Sequence, residues 1–300
     1  MSADASSTPE HPPAPATVAA VWLVVAAGLA GVWWQQLLRL AEVWDHDANY
    51  SHGFVVPIVS LGFAWMAWQS AGPPLARRVG RGRVIGGGYL AIGGFLLHVA
   101  SWYFNWLLAD VVSLIVVLLG LLLMLGGSKA LKGYAFATCF LIFMAPWPNV
   151  VYTPLAVWMQ QLVSGASTWM VQALGLPAYR EGFVIHVADH QLEVAQACSG
   201  LTALTAVLAL SFAIGHVVRR GWWFTSILVV LAWPIAFASN CLRVIVMALV
   251  TYYWGPEWIS GHWHDIQGLT TIALSAAMML LAAWLAYDVQ TRWHSRRATA

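Results

Sequence analysis

Charge is what this sequence has least of. Of its 300 residues only 9% are Asp, Glu, Lys or Arg, while 60% are hydrophobic. Mean hydropathy is +0.71. A soluble globule of this length needs more polar surface than that, so the composition excludes a soluble fold and defines a polytopic membrane protein. The balance of 14 Lys and Arg against 12 Asp and Glu leaves a net charge of +2. No basic block and no basic–aromatic interleaving occurs, which argues against a nucleic-acid partner. Cysteine is scarce too. Cys139, Cys198 and Cys241 lie in or beside apolar runs without C-x-x-C spacing, against both a disulfide framework and a cysteine zinc site. Residues 1–16, rich in Pro, Ala and Ser, lack the basic start of a secretory signal. They read as a flexible N-terminus, and the first apolar run as a retained helix.

What is abundant is apolar sequence in lengths of roughly the twenty residues a bilayer requires. Such runs occur at 17–38, 52–69, 83–103, 107–126, 131–148, 198–218, 222–253 and 267–288, which predicts an all-α membrane domain of about eight spans over residues 17–288. Arg77, Arg78, Arg81, Arg83, Lys129, Lys132, Arg219, Arg220 and the basic tail at 289–300 all fall on one side of an eight-span arrangement. The positive-inside rule makes that side, with both termini, cytoplasmic. The acidic residues Glu42, Asp45, Asp47, Glu181, Asp189, Glu193, Glu257 and Asp265 then lie on the outer face.

The stretch 154–176 carries no formal charge and is long enough to cross, which would give nine spans. Its apolar residues recur at helical spacing with Gln160, Gln161, Ser164, Ser167, Thr168 and Gln172 on the remaining surface, which predicts instead a helix lying in the outer interface. Next, residues 182–187 and 192–195 flank Ala188-Asp189-His190-Gln191 as in a short β-hairpin, placed outside the bilayer because a sheet edge cannot face lipid.

That hairpin leads into Ala197-Cys198-Ser199-Gly200-Leu201, at the start of an apolar run. A helix N-terminus there presents free N–H groups and the positive end of the dipole to Cys198 and favours its thiolate, with Ser199 and Gly200 in the first turn. Taken alone, such a cysteine reads first as a small packed hydrophobe. Two polar outliers accompany it. Arg243 lies within an apolar run, about twenty residues from its start, with Asn240 three residues earlier on the same helical face. It reads either as a functional guanidinium level with Cys198 or as a snorkelling arginine. His264, in Gly261-His262-Trp263-His264-Asp265 just before the last span, is a general acid–base candidate, a solvated loop residue or, with His262 and Asp265, part of a weak metal pattern. Near the first spans, Tyr50, Ser51 and His52 follow the charged Asp45-His46-Asp47 in what reads as a solvated outer loop or a substrate-binding segment. A transporter or channel with a polar Arg/His pathway is the rival class; a serine nucleophile at Ser199 lacks the glycine pattern of an elbow.

Taken together, the Ala-Cys-Ser-Gly cysteine, the Asn-x-x-Arg arginine and the histidine before the final helix make the chain resemble the exosortase/archaeosortase family of membrane cysteine transpeptidases. Tyr50-Ser51-His52-Gly53-Phe54 and Pro146-Trp147-Pro148 resemble its bacterial exosortase branch. The resemblance implies an enzyme of the bacterial inner membrane with its site facing the periplasm. It implies cleavage, through a cysteine thioester, of tripartite C-terminal tails of exported proteins: a motif such as Pro-Glu-Pro, a transmembrane helix and a basic cluster. Surface sorting and exopolysaccharide-associated export are the expected setting. Cys198, Arg243 and His264 are the expected catalytic residues, with Asn240, Ser199, Tyr50, Ser51 and His52 in supporting roles. No metal or other cofactor is expected, and water or an amine on a glycan or lipid is the expected acceptor.

Overall fold

The computed structural model describes residues 14–47, 49–76, 79–194, 200–259 and 262–298. It separates into two compact units, Met1–Trp147 and Pro148–Ala300. Among the described residues seven helices are long and apolar enough to cross a membrane.

In the first unit, helix α1 (Pro15–Val32) starts with a proline, whose missing N–H costs nothing in the first turn. The expected single run 17–38 is broken at Trp33, and an amphipathic helix α2 (Trp34–His46) follows. The break is where the Trp33 indole is tied down, donating to Ser113 Oγ at 3.1 Å. A 3₁₀ turn, Ser51–Phe54, leads into α3 (Val55–Ala71). Helices α4 (Arg81–Phe104) and α5 (Leu107–Phe140) join through Asn105, whose left-handed backbone closes the end of α4. They pack through glycine: a Cβ on Gly87 would sit 2.6 Å from Gly120 O, and one on Gly94 2.7 Å from Val117 Cγ2. Without side chains there, the two backbones close up, as they do where helices meet in lipid.

The longest apolar stretch, Leu107–Met144, counts as one helix among the seven. It contains two limbs. Gly127 takes φ 70, ψ −167, which only glycine adopts freely, and the helix reverses there. Leu122 and Tyr134 consequently pack in one cluster with Ala67. In an unbroken helix, twelve residues would hold them about 18 Å apart. The expected spans 107–126 and 131–148 correspond to these two limbs.

In the second unit, α6 (Asn149–Ala173) buries Tyr152, Ala156, Met159, Val163, Ser167 and Val171, at helical spacing on one face. It is not among the helices apolar enough to cross. A three-stranded antiparallel sheet follows: β1 (Ala178–Glu181), β2 (Val184–Val187) and β3 (His190–Glu193), in that order. The expected hairpin is present as β2–β3, paired from Val184↔Glu193 to Val187↔His190. Its turn is tighter than expected, and β1, paired to β2 from Ala178↔Val187, was hidden by its polar, exposed residues.

Helices α7 (Leu201–Val218), α8 (Trp222–Trp254) and α9 (His262–Ala298) complete the unit. Thirty-three residues make α8 about 50 Å long, against about 30 Å of bilayer hydrocarbon. Its C-terminal part forms a separate core with α6 and the sheet, in which Val163, Val171, Ile185, Leu192, Val244 and Met247 are buried together.

Candidate active site

The site is set by how α7 and α9 run against α8. Three contacts fix the first pairing. A Cβ on Gly200 would meet Asn240 Cβ at 3.1 Å, Ser211 Oγ donates to Leu228 O at 3.3 Å, and Gly215 abuts Thr225. As residue numbers rise along α7 they fall along α8, so the two are antiparallel and the N-terminus of α7 meets α8 at Asn240. The second pairing rests on a 2.6 Å hydrogen bond between Ser239 Oγ and Ser275 Oγ. Ser211 Oγ also reaches Met279 Sδ at 3.7 Å, so α7 touches α9 as well.

Gly200 has φ 85, ψ 2, and its carbonyl accepts the first α7 hydrogen bond from Leu204 N at 2.9 Å. It therefore caps the helix, whereas the expectation put it inside the first turn. Two demands fall on it. Its left-handed backbone disfavours any side chain, and the space beside it is taken by Asn240, which is 1% exposed. Cys198 and Ser199 lie outside the described residues, two and one positions before this cap.

Arg243 lies one helical turn past Asn240. It lines a groove of about 240 Å³ with Ser239, Leu242, Val246, Thr270, Thr271 and Leu274, from α8 and α9. Its side chain is half-buried, and Nε is buried with no hydrogen-bond partner among the described residues. A guanidinium in a fold this apolar normally has every N–H matched, and the buried Nε of Arg243 departs from that. The backbone at His264 belongs to the first turn of α9, so the loop expected before the last span is helical there. It sits three turns N-terminal to Ser275 on the same helix. The side chains of His262, His264 and Asp265 lie outside the described residues.

Asn240, Arg243, the cap after Cys198 and the helical turn of His264 are thus at one end of the α7–α9 trio. The small polar residues of that packing, Ser239, Thr271 and Ser275, were missed from sequence. The signal for two of them was the four-residue spacing of Thr271 and Ser275, which puts both on one face of an otherwise apolar stretch.

Tyr50, Ser51 and His52 fall in the first unit. There the Tyr50 hydroxyl accepts a hydrogen bond from Trp147 N at 3.2 Å, and Trp44 Nε1 donates to Met144 O at 2.9 Å. A Cβ on Gly53 would lie 2.2 Å from the Trp44 indole. The Tyr-Ser-His-Gly-Phe segment and the Pro146-Trp147 turn, 97 residues apart, are therefore one packed assembly. Burial pushes the Tyr50 hydroxyl up to about 12, so it stays protonated through the physiological range. Among the described residues no three His, Cys, Asp or Glu side chains converge on a metal position.

A multi-pass helical membrane protein with this motif arrangement has a counterpart among known families: the model of the transmembrane exosortases matches residues 44–282. The chain belongs to the transmembrane exosortase family. Membership identifies a membrane protease or transpeptidase that acts on protein substrates bearing C-terminal sorting signals. Neither a curated protein nor a solved structure matches it significantly.

Proposed function

We propose that this chain cleaves tripartite, Pro-Glu-Pro-type C-terminal tails of exported proteins through a Cys198 thioester. The Cys198 thiolate adds to the scissile carbonyl, and Arg243 stabilises the oxyanion. The C–N bond then breaks, with His264 protonating the leaving amine. In the second half, water or an amine on a glycan or lipid gives its proton to His264 and attacks the thioester, and the C–S bond breaks. Asn240 positions the cysteine turn, and Ser199, Tyr50, Ser51 and His52 support substrate binding. The enzyme works in the inner membrane with both termini cytoplasmic and the thiol toward the periplasm; residues 17–288 form the catalytic domain, between the 1–16 segment and the 289–300 tail.

The observation that supports this reading best is the packing of Gly200 on Asn240, one turn from the open Nε of Arg243. The test uses the full chain carrying Cys139→Ser and Cys241→Ala. A membrane-impermeant maleimide added to spheroplasts should label Cys198, and a peptide containing the tail should block the labelling. Absence of labelling from the outside, in protein that is inserted and folded, would overturn the assignment. A transporter reading predicts instead that Cys198→Ser leaves function intact.

A further inference from the structure

An apolar cleft of about 580 Å³ lies in the first unit, between α1, α3 and the two limbs of α5. Trp22, Leu61, Trp65, Leu122 and Leu141 are among its walls. The volume is in the range of small-molecule sites. Its hydroxyl groups are already committed. Ser60 Oγ donates to Ala137 O at 2.6 Å, Thr138 Oγ1 to Tyr134 O at 3.1 Å, and Tyr134 OH to Gly72 O at 2.8 Å. Trp22 Nε1 has no hydrogen-bond partner among the described residues, but it is buried and presents nothing to the cleft. An occupant therefore meets almost only hydrocarbon, and a polar ligand would give up its water there without replacement.

Along α3 the cleft runs from Pro57 to Trp68, about 16 Å, and it reaches Pro74 beyond the helix end. One leaflet of hydrocarbon is about 15 Å deep, half of a bilayer core. The Pro74 end is basic. There the chain after α3 lies on the reversal of α5: Ala76 N donates to Leu125 O at 2.9 Å, and a Cβ on Gly126 would meet Pro74 O at 2.9 Å. A Cβ on Gly127 would lie 4.0 Å from Arg83 Cδ, which brings that side chain to the same end. Arg81, Arg83, Lys129 and Lys132 are all exposed, and none makes an ion pair among the described residues. No Asp or Glu occurs between Asp47 and Asp110 or between Asp110 and Glu181.

We propose that this cleft binds one acyl chain of an anionic phospholipid, with the headgroup at the basic end. A chain in the cleft supplies the dispersion contacts that an empty apolar space forfeits. The net negative headgroup meets cations left without an ion pair among the described residues. A zwitterionic lipid carries the same chains, but its own ammonium offsets the phosphate at that end. The site uses none of Cys198, Arg243 and His264, so it does not rest on the cysteine reading.

The test is native mass spectrometry on the delipidated full chain, given equimolar dioleoyl phosphatidylglycerol and dioleoyl phosphatidylcholine. Phosphatidylglycerol adducts should exceed phosphatidylcholine adducts by roughly tenfold, as for several cations acting on one headgroup. Arg83→Gln, Lys129→Gln and Lys132→Gln combined, all at exposed positions, should abolish that preference. Ala64→Phe fills the cleft from α3 and should lower the adducts of both lipids by roughly tenfold. If that variant fails to fold, the wild-type chain keeps the test decisive: a phosphatidylglycerol carrying a diazirine at its chain end should crosslink to peptides containing Pro57–Leu61 or Leu141. Crosslinking only outside the cleft would overturn the proposal. So would equal adducts of the two lipids, a preference unchanged in the triple variant, or adducts unchanged in a folded Ala64→Phe.

Discussion

In the Met1–Trp147 unit, helices α4 and α5 share one buried polar cluster where they join, His98, Ser101 and Asp110, and along the rest of their contact meet through bare backbone, with Gly87, Gly94 and Gly120 admitting the partner helix to within the space of a methyl group. In the Pro148–Ala300 unit, the helices around α8 meet through polar side chains instead: Ser211, Ser239, Asn240 and Ser275, all at most 1% exposed. The first kind of contact uses dispersion alone and has no directional demand. The second fixes rotation and depth of each helix, because a buried hydroxyl or amide displaced from its partner loses a hydrogen bond it cannot replace from lipid. A scaffold needs the first. The proposed site, which would draw on Arg243 of α8 and on the starts of α7 and α9, needs the second.

Substitutions break this contrast in order of size. Cys198→Ala removes the proposed nucleophile, so tail processing should cease while expression and membrane insertion persist; immunoblotting for full-length substrate reads this, and normal processing would end the cysteine mechanism. His264→Ala should lower processing by ~10²–10⁴, the usual weight of a general acid–base. His262→Ala should stay near wild type, and a reversed ranking of the two histidines would move the role to His262. Arg243→Lys keeps the charge and loses the planar fork, so a loss of ~10²–10³ is expected for an oxyanion donor. Wild-type rates at matched expression would show Arg243 to be a snorkelling residue.

The sequence carried the helices well because lipid demands long apolar runs, and the reversal at Gly127 fell between two of them. It carried the polar outlier Arg243 for the same reason: a guanidinium is conspicuous where every neighbour is apolar. What it could not carry was pairing across helices. Nothing local in Ser239 or Ser275 says that they bond to each other 36 residues apart. The break at Trp33 was equally hidden, since the indole is held by Ser113, 80 residues away, and its own neighbours remain apolar. β1 escaped because its exposed Tyr179, Arg180 and Glu181 lack the alternation that a half-buried strand shows. Arg180 is nonetheless anchored, donating through Nη1 to Gln161 O at 3.0 Å.

The smallest expected effect is also the one that sharpens the contrast most, because one chemical change is made in both units. At Gly120 a methyl group would lie 2.7 Å from Ala91 N and from Gly87 O. Backbone atoms cannot turn aside, so Gly120→Ala must separate α4 from α5 and should cost about 1–3 kcal/mol of stability. At Gly200 the methyl group meets Asn240 at 3.1 Å, an adjustable distance, and the main penalty is the left-handed φ of 85, roughly 1–2 kcal/mol for an L-residue. That strain relaxes by moving the chain at the helix start, two residues from Cys198. Gly120→Ala should therefore lower the thermal midpoint in detergent and leave the processing rate per folded molecule unchanged. Gly200→Ala should shift the midpoint less and slow processing by about tenfold, a loss of 1.4 kcal/mol in the transition state. Equal loss of rate per folded molecule in both variants would mean that α4–α5 packing also sets the cysteine turn, and the division between scaffold contacts and site contacts would fall.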